Sequence, residues 1–192
     1  MNEEFIIAKT FSMSFVSLPN EELEALAAIL RRKDVYKGEI VVKEGDVVRD
    51  IIYIQSGLLR QYYYKDDRDI TEHFACEKQG ALCIISLFRQ EATKLIVEAL
   101  ESGVIYFIPY AKLIEISQKY PLLAILLRKM LEASLIISQE KADSWRFETA
   151  RERYNRFVVE FPEAARRASI NHIASYLLMT PESLSRVRAG VL

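Results

Sequence analysis

Residues 36–64 read YKGEIVVKEGDVVRDIIYIQSGLLRQYYY. Short runs rich in Ile, Val and Tyr alternate here with Gly, Asp and Ser, which is typical of antiparallel strands joined by tight turns. Gly45 and Gly57 stand where such turns require a positive φ. Because the same texture continues to Pro109, we expect an antiparallel β-roll or sandwich across residues 36–109.

Helical periodicity flanks this β region on both sides. Apolar residues between Leu23 and Leu30 share one face behind Asn20, a candidate N-cap, so a helix is predicted over residues 18–35. Further helices are predicted over residues 81–88 (short and buried), 110–120, and 121–157, where about 35 residues hold no glycine or internal proline.

The long helix carries two neighbouring apolar stripes. Two stripes indicate that one side packs on its own domain and the other on a twin helix, whereas a single long core helix is the alternative. A bend or break, and with it a domain boundary, is expected between Lys141 and Phe147, where charged residues become frequent. The residues expected at a dimer contact are Leu127, Met130, Leu131, Ser134, Leu135, Ile137 and Ser138.

Composition excludes several classes of protein. The 192 residues are 51% hydrophobic with a net charge of -1, as in an ordinary globular protein. The apolar runs fall short of the roughly 20 residues of a membrane span, and the acidic start lacks signal-peptide features, so a cytoplasmic protein is expected. Two distant histidines, His73 and His172, do not provide the metal cluster of a cupin-like enzyme, so neither a metal, a cofactor nor an enzymatic activity is expected.

The two cysteines, Cys76 and Cys83, lie in an apolar context. We interpret both as small buried side chains, with a redox pair as the alternative.

The end of the sequence predicts two short helices around a tight turn. Ile170, Ile173, Ala174 and Leu177 form one face of the first helix. For the second helix, Thr180 is the expected N-cap with Pro181 at the first helical position, and the expected inward residues are Leu184, Val187 and Val191.

The second helix leaves polar residues on its outer face. Arg can bond guanine in a forked geometry and Glu can accept from cytosine, which favours a helix-turn-helix that reads DNA. From Arg146 onward there are eight arginines against five glutamates, and this small positive charge is weak evidence for DNA binding. The alternative is a helical hairpin in which Glu182 and Arg186 form only a surface ion pair.

Two motifs together resemble the Crp/Fnr family of transcription regulators. Residues 36–64 are similar to the first half of its cyclic-nucleotide-binding-like domain, with KGE, EGD and the Y-I-x-x-G turn. INHIASYLLMTPESLSRVR, residues 170–188, is similar to its DNA-reading helix pair. The resemblance implies an α+β protein with flanking helices, made of a β-roll sensor (a cupin-like double-stranded β-helix) at 1–120, a dimerisation helix at 121–145 and a small all-α helix-turn-helix domain at 146–192.

By this resemblance the protein is a homodimer that binds palindromic double-stranded DNA in the bacterial cytoplasm, with RNA polymerase as a further candidate partner. Leu178 replaces the glycine usual in the turn, and the sequence ends without a full wing, as in a divergent branch. The residues that the resemblance places against DNA are Thr180, Glu182, Ser183, Ser185, Arg186 and Arg188.

The resemblance also locates the effector pocket. Cyclic-AMP-binding members hold the ribose and phosphate with a Gly-Glu pair and an Arg-Ser pair. Leu82 and Cys83 stand at the first pair here, and Thr93 and Lys94 at the second. Without the carboxylate and the forked guanidinium, cAMP is not expected to bind, and the sequence does not identify another effector. The alternative function is a β-roll dimer that does not bind DNA and serves as a protein-interaction or ligand-sensing module.

Overall fold

Eight strands form two antiparallel sheets of four in the computed structural model, which describes residues 2–191. The first sheet has the order β1-β8-β3-β6, and the second has the order β2-β7-β4-β5. The strands are β1 (Arg31–Val35), β2 (Ile40–Val42), β3 (Asp50–Ser56), β4 (Leu59–Lys65), β5 (Arg68–Ala75), β6 (Gly80–Ala81), β7 (Ile96–Ala99) and β8 (Gly103–Pro109). The β-roll expected from the sequence is confirmed.

The turns of the roll follow their residue types. Gly45 and Gly57 have φ of 92° and 101°, as the sequence predicts. A Cβ on Gly103 would lie 2.1 Å from the carbonyl oxygen of Ser56. Only glycine at residue 103 therefore lets the start of β8 approach the turn that follows β3 so closely. Asp66 and Asp67 both have positive φ between β4 and β5, which gives the two-residue turn that matches strand twist.

Helices cover the roll at both ends of the chain. The helix α5 ends at Phe147, so the predicted boundary at residue 145 falls in its last turn. The helices are α1 (Glu3–Met13), α2 (Asn20–Ala27), α3 (Ile84–Arg89), α4 (Tyr110–Lys119), α5 (Pro121–Phe147), α6 (Ala150–Glu160), α7 (Pro162–Arg167), α8 (Ile170–Tyr176) and α9 (Pro181–Arg188).

Two helix predictions need correction. The helix expected over residues 18–35 ends at Ala27, because Arg31–Val35 pairs along its whole length with β8 as strand β1; Asn20 lies inside the helix rather than at its cap. The helix α3 is present, but it is not buried as expected: Ile85 is 66% exposed. Tertiary strand pairing outweighs helical periodicity in the first case.

Three apolar clusters hold the molecule together. One lies between the first sheet and helices α1, α2, α4 and α5, a second fills the roll, and a third joins the second sheet to helices α6 to α9. The buried Glu22 of α2 accepts a hydrogen bond of 2.9 Å from the Leu123 amide and so caps α5 from outside that helix. Among the described residues, none of the helices combines the length and apolar character that a membrane crossing needs.

Candidate nucleic-acid interface

The last two helices are each fixed by a hydroxyl cap. The Ser169 hydroxyl accepts from the His172 amide at 3.2 Å at the start of α8. Thr180 accepts from the Ser183 amide at 3.1 Å at the start of α9, with Pro181 in the first helical position. Each cap satisfies one backbone donor that the helix leaves without a partner.

The turn between α8 and α9 places Leu178 in the left-handed region, with φ of 53°. The amide of the next residue, Met179, closes the turn by donating to the Ala174 carbonyl at 3.0 Å. The turn thus has the backbone geometry that favours glycine, and the leucine there carries steric strain on the order of 1 kcal/mol.

The faces of α9 are sharply divided. Leu184 is fully buried and Val187 is 5% exposed, whereas Val191, expected on the inner face, is 74% exposed because it lies beyond the end of the helix. Of the residues predicted to meet DNA, Thr180, Glu182, Ser185, Arg186 and Arg188 are exposed and Ser183 is half-buried.

The outer face of α9 is not closed by an ion pair. Within residues 2–191, the Glu182 carboxylate and the Arg186 guanidinium do not form an ion pair within 4.0 Å, although Arg186 is near enough for its charge to help lower the pKa of Glu182. Hydrogen bonding from its own amide and from Thr180 lowers the pKa of Glu182. An ionised carboxylate in the first turn of α9 and an arginine in its last turn are therefore both exposed to solvent.

The helix pair rests on the β-roll. The Ser175 hydroxyl of α8 donates to the Asp69 carbonyl and accepts from the Thr71 amide, both at 2.8 Å. Below these bonds, Phe74 of β5 packs on Phe157 and Tyr176 at ring distances of 5.9 and 5.7 Å. Backbone and aromatic contacts thus fix the orientation of α8 on the second sheet.

Arg167 reinforces this docking from the end of α7. Its guanidinium pairs with Glu77, in the turn between β5 and β6, and with Glu101, in the turn between β7 and β8. Hydrogen bonds from Arg167 lower the pKa of Glu77 to about 2. Sequence inspection missed this arginine, because its partners lie more than 60 residues away and no local spacing links them.

Lys141 joins α5 to the same interface. Its ammonium group is 2.9 Å from the Glu72 carboxylate, donates to the Glu72 carbonyl, and lies over the rings of Trp145 and Tyr176. Desolvation lowers its pKa. Burial, and then the charge of Lys141, lowers the pKa of nearby His73 to about 4, so this histidine is neutral near pH 7. The sequence did not predict the role of Lys141. Its only indication near this residue was that charged residues become frequent after Glu140.

The four predicted pocket positions lie together where α3 and its flanking loops meet the interior of the roll. Cys83 and Thr93 are buried, Leu82 is half-buried and Lys94 is exposed. The buried Gln61 amide contacts the Cys83 sulfur at 3.6 Å, and the Thr93 hydroxyl accepts from the Leu95 amide. Burial raises the pKa of the Cys83 thiol, so it is a neutral side chain. None of the four offers a carboxylate to a ribose or a guanidinium to a phosphate.

The predicted dimer residues divide along α5. Leu127 and Met130 are buried against their own domain, and Leu131 and Ser134 are half-buried. Farther along, three of them are exposed: Leu135 (70%), Ile137 (47%) and Ser138. A groove of about 410 Å³ runs beside this stripe between α4 and α5.

The sequence is similar to those of transcription regulators. The family model described as cyclic nucleotide-binding domain matches residues 32–120. The chain is 27% identical over 187 residues to the transcriptional activator protein Anr of Pseudomonas aeruginosa, which covers 90% of this chain and 75% of that protein. It is 26% identical over 185 residues to the fumarate and nitrate reduction regulatory protein of Vibrio cholerae, covering 89% and 73% of the two chains.

Solved structures show the same fold. FixK2 of Bradyrhizobium japonicum superposes with a TM-score of 0.72 at 19% identity, covering 85% of this chain and 84% of that one. A putative transcriptional regulator of the Crp/Fnr family from Eubacterium rectale gives a TM-score of 0.65 at 18% identity, covering 90% and 83%. With its two sheets, its long α5 and its terminal helix pair, the chain is similar to the Crp/Fnr transcriptional regulators, and its residues 32–120 match a cyclic nucleotide-binding domain.

Proposed function

We propose that this chain is a homodimeric, sequence-specific DNA-binding transcription regulator that does not respond to cAMP. Its homologues are Crp/Fnr transcriptional regulators rather than enzymes. The observation that carries the proposal is the outer face of α9, where Glu182, Ser185 and Arg186 project to solvent while Leu184 and Val187 hold the helix to its domain.

Each of these groups has a role that its chemistry permits. Arg186 offers a bidentate donor to guanine, and Glu182 an acceptor to cytosine. Phosphates or neighbouring base edges could be bound by the hydroxyls of Thr180, Ser183 and Ser185 and by the Arg188 guanidinium. The positive end of α9 adds to the attraction for a phosphate.

A dimer suits this function because one helix-turn-helix reads only half of a palindrome. Two recognition helices must lie about one helical turn of DNA apart, so whatever biases the packing of paired α5 helices changes affinity. The exposed Leu135 and the groove beside it are the proposed contact with the α5 of a second copy.

The pocket residues support the absence of a cAMP response. A cyclic phosphate at Thr93 and Lys94 meets at most one exposed ammonium, which lacks the bidentate geometry of arginine. Leu82 and Cys83 leave the ribose hydroxyl without a charged acceptor, and an anion so poorly compensated is costly to bury.

DNA binding by the wild type and by Arg186→Ala tests the proposal. A palindromic duplex, enriched by the wild-type protein from a random library, is titrated by fluorescence anisotropy at several salt concentrations. We expect wild-type binding to weaken steeply with salt. Arg186→Ala should lose roughly 1–3 kcal/mol of affinity and accept substitutions at one base pair.

Arg89→Ala is the matched control. This exposed arginine ends α3, and within residues 2–191 it forms no ion pair, so its loss removes the same charge far from α9. We expect this variant to bind like the wild type. Equal affinity of Arg186→Ala and wild type for the best site would refute the role of Arg186. Absence of any salt-sensitive DNA binding would favour a β-roll dimer that binds a protein partner.

A further inference from the structure

An open groove of about 980 Å³ lies at one end of the β-roll. Its walls are the loop joining β2 to β3, the ends of β1, β3 and β8, and the start of α4. This is the size of a site for a small organic molecule. None of the four predicted effector-pocket positions lines it.

The floor of the groove is apolar. Val42, Val48 and Ile52 are almost fully buried and belong to the cluster that fills the roll, and Phe107 packs against them. A hydrocarbon chain placed here would extend the core of the roll toward solvent and remove apolar surface from water.

The rim of the groove carries an excess of positive charge. Arg31 is paired with Asp50 at 2.6 Å, and the Asp46 carboxylate accepts from the Lys43 amide at 2.8 Å. Arg49 and Lys112, by contrast, form no ion pair within 4.0 Å in the part of the chain that the structure describes. Two cations without carboxylate partners therefore stand over an apolar floor.

The start of α4 makes the rim still more positive. No side chain caps this helix and no acidic residue occupies its first turn, where Lys112 stands instead. A lysine near a helix N-terminus is repelled by the positive end of the helix dipole. A bound anion would relieve this repulsion and pair with Arg49 at the same time, because the Tyr110 amide joins the start of α4 to the Arg49 carbonyl at 3.0 Å.

From this combination we infer that the groove binds an amphipathic carboxylate, with an apolar chain along the half-buried Val41, Val47 and Phe107 and the carboxylate between Arg49 and Lys112. A neutral lipid would leave the two cations without a partner, and a small inorganic anion would leave the accessible surface of Val41, Val47 and Phe107 in water. Only a ligand with both parts matches both surfaces.

The groove is connected to the effector pocket and to α5. The Val48 amide donates to the Ser86 hydroxyl of α3 at 2.8 Å, and the Thr93 amide donates to the Asp46 carbonyl at 2.8 Å. Leu87 of α3 belongs to the same cluster as Leu123 of α5. A ligand that moves the β2–β3 loop therefore acts on α3 and, through it, on the helix proposed to form the dimer; this effect rests on the proposed function.

Calorimetric titration of the full chain with decanoate, kept below its micelle-forming concentration, tests the site. We expect saturable binding of one decanoate per chain. Arg49→Gln and Lys112→Gln should each weaken it by about 3-fold, and the double variant by about 10-fold, as expected for exposed charge pairs. Val47→Asp, which adds an acid to the groove wall outside the buried clusters, should weaken binding similarly.

Three controls test whether both the carboxylate and the apolar chain of the ligand are needed and whether it binds in this groove. Acetate and decanol, which each carry one part, should bind much more weakly. Lys94→Gln removes the lysine of the effector pocket and should leave decanoate binding unchanged. The proposed site would be refuted if decanoate binding were not saturable or if decanol bound equally well. It would also be refuted if the double variant bound like the wild type, or if Lys94→Gln weakened binding as much as Lys112→Gln.

Operator titrations with and without decanoate test the coupling separately. The wild type should change its DNA affinity with decanoate, and the double variant should need about ten times more decanoate for the same change. A protein that binds decanoate with unchanged DNA affinity contradicts the coupling alone. A protein that binds decanoate but no DNA contradicts the proposed function and leaves the groove site standing.

Discussion

Leu178 occupies a left-handed backbone position at which the sequence pattern of the Crp/Fnr regulators has glycine. The turn between α8 and α9 keeps the left-handed conformation, with φ of 53° at this leucine. The Leu178 side chain is 49% exposed, so its packing offsets little of the steric strain in the backbone. Neighbouring bonds, including the one from Met179 to Ala174, hold the turn in place.

Leu178→Gly should therefore stabilise the protein. We expect a gain of about 0.5–1 kcal/mol in the free energy of unfolding, because glycine enters this region without a Cβ clash, partly offset by its greater unfolded-state entropy. Urea denaturation of the wild type and the variant measures the change. Leu178→Ala is the control, since it also removes the side chain but keeps the Cβ. If the glycine variant proves no more stable than the alanine variant, the strain assigned to this turn is absent.

At the scale of elements, α5 serves two surfaces. Its first half is buried through Leu123, Leu126 and Leu127 and capped by Glu22, whereas its second half exposes two of the predicted dimer residues, Leu135 and Ile137. A contiguous exposed apolar surface on a helix indicates a partner. The two stripes were visible in the sequence, but the sequence did not distinguish which half of the helix is covered by its own domain.

Leu135→Glu should prevent dimerisation. A carboxylate at the proposed contact would face its copy across the two-fold axis and lose hydration, so we expect sedimentation velocity to show a monomer where the wild type shows a dimer.

Ile136→Glu is the matched control for Leu135→Glu. It adds the same charge at a residue 56% exposed, about 100° around the helix from Leu135. It should leave the dimer intact. Dimerisation unaffected by Leu135→Glu, or disrupted equally by both, contradicts the proposed contact.

At the scale of the whole molecule, the helix-turn-helix and the roll form a continuous interface. Ser175 bonds to β5, aromatic rings from α6, α8 and β5 pack together, and Arg167 spans two turns of the roll. The orientation of α9 is thus set by contacts with the β-roll as well as by the chain connection through α5.

This interface should be sensitive to acid through Glu77. The pKa of Glu77 is lowered to about 2, chiefly by hydrogen bonds from Arg167, so its contribution to stability is complete above its ordinary pKa of 4.5. The contribution is lost as the pH falls from about 4.5 to about 2. Glu77→Gln should lower the free energy of unfolding at pH 7 by about 1 kcal/mol, discounted for partial exposure, and flatten the acid decline.

Urea denaturation between pH 7 and pH 2.5 measures both effects. Glu91→Gln, which neutralises an exposed glutamate in the loop after α3, should decline with acid like the wild type. A Glu77→Gln variant with wild-type stability and an unchanged acid decline would show that the Arg167 contact contributes nothing to stability.

The sequence by itself determined the strands, the turns and the helix pair, because these depend on neighbouring residues: β-branched runs, Gly45 and Gly57, and the Thr180–Pro181 start of α9. It also carried the family motifs and the replaced pocket residues. Only the tertiary structure decided that residues 31–35 leave a helical pattern for a strand, since β8 supplies their hydrogen bonds. It alone revealed the Arg167 contacts and the groove at Lys112, because residues far apart in the chain meet there and local sequence patterns carry no record of such encounters.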